Sequence, residues 1–155
     1  MSQLDQNRDA TQQEVVAFRV AQQDFCFDIM SVREIRGWTE TTTLPHAQSY
    51  VKGVINLRGN VVPVVDLSDR LGFGETQPSA RHVIIIAVVE GQTIGLLADV
   101  VSDILSISPD AMHPVPDMVS DRVKAFISGV VLMDDRMIRK LDLARVVPSA
   151  GLEAA

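Results

Sequence analysis

The stretch VKGVINLRGNVVPVVDL, residues 51–67, places a single arginine between two apolar runs. Apolar residues precede Arg58, and four valines flank Pro63 beyond it. Runs of β-branched residues that are interrupted by a glycine predict two strands joined by a tight turn. Because Gly59 follows the arginine, we expect the charge of Arg58 to lie at the tip of a hairpin with buried arms.

The pattern of this stretch recurs later in the chain. Two pairs of segments align without a gap: residues 50–71 with 126–147 at a spacing of 76 positions, and residues 22–35 with 91–104 at a spacing of 69. In the first pair, Gly53 falls on Gly129 and Asp66 falls on Asp142. Each aspartate is predicted to cap a short helix that follows it. Two similar β units in tandem are therefore predicted.

Short strands separated by turns dominate both halves, with turns predicted at residues 22–24 and 90–92. An open sheet of about five strands leaves its edges exposed, and closure into a small barrel removes them. The pattern therefore predicts an all-β fold with short helices, built from two tandem five-stranded β-barrels that share an apolar core. The predicted core residues are Phe25, Phe27, Ile29, Val61, Ile84 and Ile86.

The two halves are predicted to form a single domain at residues 14–147, because neither half is large enough to be robust alone. The predicted subdomains cover residues 14–80 and 81–147. The polar segments outside this domain, residues 1–13 and 148–155, are predicted to be a disordered arm and a flexible tail.

Composition argues against several classes of partner. The net charge is −6 and no basic block is present, which argues against nucleic acid and anionic lipid. The longest apolar run, residues 83–89, is far shorter than the ~20 residues of a membrane-spanning helix. The single Cys26 cannot form an internal disulfide and is expected to be a buried structural thiol in a reducing compartment. We therefore expect a cytoplasmic protein without direct membrane insertion.

No set of residues in the sequence forms a recognisable catalytic motif. The three histidines, His46, His82 and His113, fall in different segments without metal-ligand spacing. Neither a phosphate-binding loop nor a nucleophile elbow is present. The pair Asp134–Asp135 aligns with the turn at Arg58 and is expected to be a hairpin turn. The sequence therefore predicts binding without a catalytic, cofactor or metal site.

The opening stretch resembles the signature of the CheW chemotaxis coupling family. The resemblance extends to FCFDIMSVREIRG before it and to GLLADVVSDIL and SGVVLMDDRMIRKLDL after it, over nearly all of residues 15–147. It implies two SH3-like barrels and a non-enzymatic adaptor that is a monomer when free. The implied partners are the cytoplasmic tips of chemoreceptors and the regulatory domain of the histidine kinase CheA, in membrane-associated arrays. One departure is Asn60, where the family often has an apolar residue.

The resemblance also implies a set of partner-binding positions: Val32, Glu34, Gly53, Arg58, Val83, Gly95 and Ile104. Ile35 joins this set because it aligns with Ile104 in the repeat, and the symmetry could bring both segments to one apolar groove. Two interpretations stay open for the apolar positions, which are either plain core or the walls of a groove for a helical hairpin. Two also stay open for Arg58, which either holds its turn through Glu34 or contacts a partner.

Two other functions stay open beside chemotaxis coupling. The first is a coupler of a related chemosensory pathway that controls pili or surface growth. The second is a small enzyme or ligand-binding regulator with a site between the two barrels.

Overall fold

A computed structural model describes residues 12–147 of the chain. The predicted arm and tail lie outside these residues, apart from Gln12 and Gln13. Gln13 already belongs to the first strand, so the predicted arm extends at least one residue too far. Among the described residues, no helix is long and apolar enough to cross a membrane.

Strands account for most of both halves of the described chain. The first half contains β1 (Gln13–Val20), β2 (Gln23–Asp28), β3 (Val32–Gly37), β4 (Val51–Leu57), β5 (Asn60–Asp66) and helix α1 (Leu67–Arg70). The second half contains β6 (Val83–Val89), β7 (Gln92–Ala98), β8 (Val100–Ile107), β9 (Met112–His113), α2 (Asp121–Lys124), β10 (Ile127–Met133), β11 (Arg136–Leu141) and α3 (Leu143–Val146). Short 3-10 turns lie at Ile29–Ser31 and Pro109–Ala111.

Four of the hairpins have the same two-residue turn. Both turn residues have positive φ in each: Ala21–Gln22, Arg58–Gly59, Glu90–Gly91 and Asp134–Asp135. This geometry matches the right-handed twist of the flanking strands. The turns at Arg58 and at Asp134 are therefore confirmed, whereas the first turn lies earlier than predicted, because Gln23 and Asp24 already pair within β2.

The strands form two sheets that each combine both halves of the chain. The six-stranded sheet has the order β8-β1-β2-β11-β10-β9, and the five-stranded sheet has the order β3-β6-β7-β5-β4. The first hairpin of each half therefore lies between the third and the last strand of the other half. The predicted subdomain boundary near residue 80 is wrong for this reason. The exchange gives both strands of each first hairpin a neighbour on either side, which leaves no central edge unpaired.

The two halves nevertheless occupy equivalent positions in the two sheets. The parallel pairing of β11 with β2 places Lys140 beside Cys26, and the pairing of β5 with β7 places Val64 beside Gly95. These two pairs correspond under the repeat spacings of 76 and 69 positions. The register shift at Gly53 likewise recurs at its repeat partner in β10. The predicted repeat therefore describes the fold down to single pairs of residues.

The apolar residues form one core between the sheets and a smaller one on the far face of each sheet. Phe25 and Phe27 lie in the shared core, and Ile84 and Ile86 lie in the small core of the five-stranded sheet, all fully buried as predicted. Alternation along β6 and β2 places neighbouring residues in different cores.

Two of the predicted core residues do not belong to the core. Val61 is 73% exposed, because the alternation that turns Val62 and Val64 inward turns Val61 outward near the hairpin tip. Ile29 is only half-buried, because the strand ends at Asp28 and Ile29 begins a 3-10 turn.

A guanidinium group joins the two halves at the helices. Arg70 lies 4.5 Å from the ring centroid of Tyr50 and 4.7 Å from that of Phe126, two aromatic residues at repeat-related positions. Its Nε also donates a hydrogen bond to the carbonyl of Val146 in α3. Stacking and hydrogen bonding together hold α1 against the second half.

Candidate functional site

Arg58 and Glu34 form an ion pair at the tip of the β4–β5 hairpin. Nη2 of Arg58 donates a hydrogen bond to Oε1 of Glu34 in β3, with a separation of 2.5 Å. The turn itself is held by another contact, because the amide side chain of Asn56 accepts a hydrogen bond from the N–H of Gly59 at 2.8 Å. Most of the Arg58 side chain is exposed. Its remaining N–H groups are therefore available to a partner, while Asn56 keeps the turn closed.

Glu34 is held in its charged form by its neighbours. The hydrogen bond from Arg58 has the largest effect and lowers the pKa of Glu34; desolvation opposes it, and the charges of Arg58 and Arg36 lower the pKa further. Nη1 of Arg36 lies 3.7 Å from Oε2 of Glu34. Glu34 thus fixes the direction of two arginine side chains at neutral pH.

A cleft of about 530 Å³ opens beside this ion pair. Its wall includes Arg33, Glu34 and Arg58 together with the exposed Val61 and the half-buried Pro63. Val61 is the residue here that the sequence interpretation missed. Its position opposite the polar Asn56 in the β4–β5 ladder was the signal that could have identified it as an outward residue.

Ile35 and Ile104 are exposed on the edge strands of the two sheets. Ile35 pairs with Ile85, and Ile104 pairs with Val16; both of these partners lie in the shared core. Because side chains at paired positions point to the same face, each exposed isoleucine extends the shared-core face beyond the edge of its sheet. Ile35 and Ile104, which are repeat partners, therefore have equivalent surroundings in the two sheets.

The two predicted valines occupy a different environment from the isoleucines. Val32 and Val83 are half-buried and pack against the shared core. A partner can reach only part of either side chain, and the rest supports the fold.

Gly53 and Gly95 are both buried and present no side chain to a partner. A Cβ at Gly53 would lie 2.3 Å from the carbonyl oxygen of Thr42, and φ at Gly53 is +144°. A Cβ at Gly95 would lie 2.8 Å from Cγ2 of Ile84, inside the small core. Both glycines permit close approach of neighbouring chain segments, which is a role in the fold.

One group of side chains superficially resembles a catalytic triad. Oγ of Ser79 lies 3.2 Å from Nδ1 of His82, and Nε2 of His82 lies 3.5 Å from Oδ1 of Asp99. However, Nδ1 also accepts a hydrogen bond from the backbone N–H of Ser79, and the Ser79 hydroxyl accepts one from the N–H of Arg81. Asp99 accepts a hydrogen bond from the N–H of Ala21. The group therefore forms a hydrogen-bonded turn, in which the serine is already used as an acceptor.

Within residues 12–147, no cluster of three or more histidine, cysteine or acidic side chains could hold a metal ion. Burial raises the pKa of Cys26 to about 12, so its thiol is neutral at physiological pH. An exposed ion pair and apolar residues on sheet edges define a small β module that offers surfaces for other proteins.

Comparison with known sequences identifies the family. The CheW-like domain matches residues 14–151. The chain belongs to the CheW-like domain family.

Individual relatives support the same assignment over most of the chain. It is 53% identical to Chemotaxis protein CheW of Rhizobium meliloti over 142 residues, which cover 92% of each chain. It is 30% identical to Protein FrzA of Myxococcus xanthus, over 92% of this chain and 90% of that one. Among solved structures, the scaffolding protein TtCheW of Thermoanaerobacter tengcongensis matches with a TM-score of 0.81 and 33% identity. That match covers 91% of this chain and 96% of the other. The predicted all-β fold of paired SH3-like barrels is thereby confirmed.

Proposed function

We propose that this protein is a chemotaxis adaptor that couples the cytoplasmic tips of chemoreceptors to the regulatory domain of the histidine kinase CheA. The observation that supports this most strongly is the match to the CheW-like domain over residues 14–151, together with 53% identity to a chemotaxis CheW protein. In this role the protein works in the cytoplasm and is recruited to membrane-associated receptor arrays.

The receptor is proposed to contact the edge strands β3 and β8. A receptor tip is a helical hairpin, and helices bind through apolar side chains that enter an apolar groove. Ile35 and Ile104 supply exposed apolar surface that continues the shared core. Val32 in β3 and Val83 in its neighbour β6 pack against the shared core and are proposed to contribute the buried part of the groove.

A glutamate at Ile104 is a direct test of this surface. Since Ile104 is 59% exposed, Ile104→Glu should leave the melting temperature close to that of the wild type and abolish capture of a receptor fragment. Val32→Glu is a poorer probe, because it would also place a carboxylate against the shared core. Normal receptor capture by Ile104→Glu would remove β8 from the proposed site.

Arg58 is proposed to contact a partner through the part of its guanidinium group that Glu34 leaves free. Truncation of an exposed arginine usually changes stability by less than about 0.5 kcal/mol. Loss of a desolvated charged contact at an interface can weaken binding by about 2–5 kcal/mol. Arg58→Ala should therefore melt like the wild type and fail to assemble receptor and kinase into a ternary complex.

Arg19 offers a matched control for this experiment. It is also an exposed arginine on a hairpin strand, with its Nε 3.4 Å from Oδ1 of Asp24. Arg19→Ala should assemble normally in the same co-sedimentation assay with receptor fragment and kinase. Normal assembly by Arg58→Ala, or a large drop in its melting temperature, would assign Arg58 to the fold.

A second candidate function is coupling in a related chemosensory pathway, which the match to Protein FrzA favours as the alternative. Both functions need the same docking chemistry, so mutants of this chain do not separate them. Identification of the kinase and receptor that co-purify from the native cell separates them directly.

The adaptor role also implies that the chain has no enzymatic activity of its own. Calorimetric titration with ATP and with divalent metal ions should show no heat of binding. A stoichiometric site of micromolar affinity would favour a ligand-binding regulator with a site between the two barrels.

A further inference from the structure

A cleft of about 380 Å³ opens beside α3, between residues of the two halves. Its lining includes Phe27, Val89 and Leu143 of the shared core, together with the more polar Ser128 and Asp142. None of the positions proposed to bind receptor or kinase lines this cleft. Its occupant is therefore a separate question from the proposed function.

The first half has an equivalent site, which the chain itself fills. Three residues that line the cleft have repeat partners there, at the spacing of 76 positions: Ser128 with Lys52, Asp142 with Asp66, and Ala144 with Ser68. The linker that connects α1 to β6, residues 71–82, covers all three partners. Thr76 donates twice to Asp66, and its carbonyl accepts a hydrogen bond from Nζ of Lys52 at 2.8 Å. Oγ of Ser68 donates to the carbonyl of Gly74 at 2.7 Å. Asp66 and Ser68 are buried for this reason, whereas Ser128 and Ala144 are exposed.

The segment after α3, residues 148–155, cannot repeat the path of the linker. The linker turns at Gly72 with φ of +94°, and the repeat partner of Gly72 is Pro148. Proline fixes φ near about −65°, so this turn is closed to it. The two paths already separate one residue earlier, because Leu71 is helical with φ −83° and ψ −3°, while Val147 has φ −123° and ψ 79°.

The N-terminal segment, residues 1–11, matches the linker in length and in donor groups. The β1–β2 and β6–β7 hairpins have the same register, which extends the repeat spacing of 69 positions to β1. Gln13, which lines the cleft, therefore corresponds to His82 at the end of the linker. At the same spacing, Asn7 corresponds to Thr76. Both residues have a backbone N–H and a side chain that can donate to a carboxylate.

The charges of the cleft favour a basic segment. Three carboxylates and one ammonium group line it, from Asp28, Glu90, Asp142 and Lys140. Nε of Arg145 lies 3.2 Å from Oδ2 of Asp142 and balances its charge, so the other three groups leave a net charge of −1. Arg8 is the one basic residue in the N-terminal segment, and it follows Asn7 directly. Opposite charges at such a site favour the bound arrangement.

We propose that residues 5–11 of this chain bind back into the cleft, as the linker does in the first half. Asn7 then donates to Asp142 in the place of Thr76, and Arg8 faces Asp28 and Glu90. The contact is made within one chain and needs neither receptor nor kinase. Because its ion pairs are exposed, salt weakens it.

A spin label on the N-terminal segment of the full chain tests this contact. Asp5→Cys introduces a thiol for the label, and the buried Cys26 stays unlabelled. The backbone amide signals of Ser128 and Ala144 should lose most of their intensity in the NMR spectrum and recover when the label is reduced. Full intensity with the label present would overturn the proposal. In a mixture of labelled protein with unlabelled ¹⁵N protein, the ¹⁵N signals should keep their intensity; a loss there would assign the cleft to a second copy and overturn the contact within one chain.

Two matched variants show whether the loss of intensity depends on the proposed contacts. Arg8→Gln and Gln3→Glu each change the net charge by one unit in the same direction. In the spin-labelled chain, Arg8→Gln should restore most of the intensity at Ser128 and Ala144, whereas Gln3→Glu should leave the loss unchanged. Equal effects of the two variants would overturn the proposal. Without the label, Asn7→Ala should shift the same amide signals. Shifts caused by Leu152→Ala, at the repeat partner of Thr76, and not by Asn7→Ala would assign the cleft to residues 148–155 instead.

Discussion

Asp66 and Asp142 occupy equivalent positions in the two halves and have different surroundings. Both cap the following helix by accepting a backbone hydrogen bond, from Ser68 in one case and from Ala144 in the other. Asp66 is completely buried, whereas Asp142 is partly exposed and forms an ion pair with Arg145.

The difference arises from the chain that follows α1. Thr76 donates two hydrogen bonds to the carboxylate of Asp66, one from its backbone N–H and one from its hydroxyl, both at 2.7 Å. Nζ of Lys52 lies 3.8 Å from the same carboxylate and also binds the carbonyl of Thr76. The comparison shows that the cap is a local requirement of the helix, while the burial of Asp66 is decided by contacts from the loop that follows α1.

The largest loss of stability is expected when a large side chain of the shared core is truncated. Phe27→Ala removes a ring that packs edge-on against Phe18 at 5.4 Å, and should lower the free energy of unfolding by about 3–5 kcal/mol. Its repeat partner Leu96 is equally buried in the same core, and Leu96→Ala should cost about 2–5 kcal/mol. Urea denaturation of both variants tests whether the halves contribute comparably; a Phe27→Ala protein as stable as the wild type would contradict the shared core.

Removal of the Asp66 cap should lower the free energy of unfolding more than removal of the Asp142 cap. Asp66→Ala removes the helix cap and leaves both donors of Thr76 without their acceptor, while Lys52 keeps Glu75 as an ion-pair partner at 2.9 Å, so a loss of about 2–4 kcal/mol is expected. Asp142→Ala removes only an exposed cap, at a cost of about 0.5–2 kcal/mol. The same denaturation experiment measures both, and equal losses would show that the loop contacts contribute nothing.

Gly53 and Gly129 lie at the register shifts of β4 and β10. Alanine substitution should destabilise the protein more at Gly53 than at Gly129. Gly53→Ala places a Cβ 2.3 Å from the Thr42 carbonyl at a φ that L-residues avoid, which should cost about 1–3 kcal/mol. At Gly129 the nearest atom, the carbonyl oxygen of His113, is 2.9 Å away, and no unusual φ adds strain. Gly129→Ala should therefore be the milder variant in thermal denaturation. The reverse order would mean that the second bulge is the more rigid one.

The smallest expected effect is a dependence of stability on alkaline pH, which comes from the thiol of Cys26, the repeat partner of Gly95. The thiol has a pKa of about 12 in the folded chain and an ordinary value of 9.0. Above pH 9.0 the unfolded state loses a proton that the folded state retains, so the stability should fall as the pH rises toward 12. Cys26→Ala should remove this dependence without changing the slope below pH 8. A wild-type protein whose alkaline stability matches that of the variant would contradict the burial of the thiol.

Local pattern was enough to predict most of the secondary structure. The alternation in β2 and the continuous apolar run in β6 correctly identified Phe25, Phe27, Ile84 and Ile86 as buried. The repeat predicted both helix caps, because capping depends only on the residues next to the helix.

The sequence pattern did not predict which strands share a sheet or which apolar side chains are exposed. The order of strands depends on contacts between distant segments, so the repeat did not reveal that the two halves exchange their first hairpins. Val61 belongs to an apolar run, and only the register against Asn56 shows that it faces outward. The contact of Arg58 with Glu34 was one of two interpretations that the sequence left open for Arg58, whereas the burial of Gly53 required the position of Thr42.

The exchange of hairpins also has a consequence during synthesis. The β1–β2 hairpin leaves the ribosome first, but its neighbour β11 ends about 110 residues after β2 does, which corresponds to roughly 6–22 s at about 5–20 residues per second. During that interval Phe25 and Phe27 lack the second half of their core. A chain that stops before β10 therefore cannot complete either the six-stranded sheet or the shared core, and folding of the whole protein waits for its last strand.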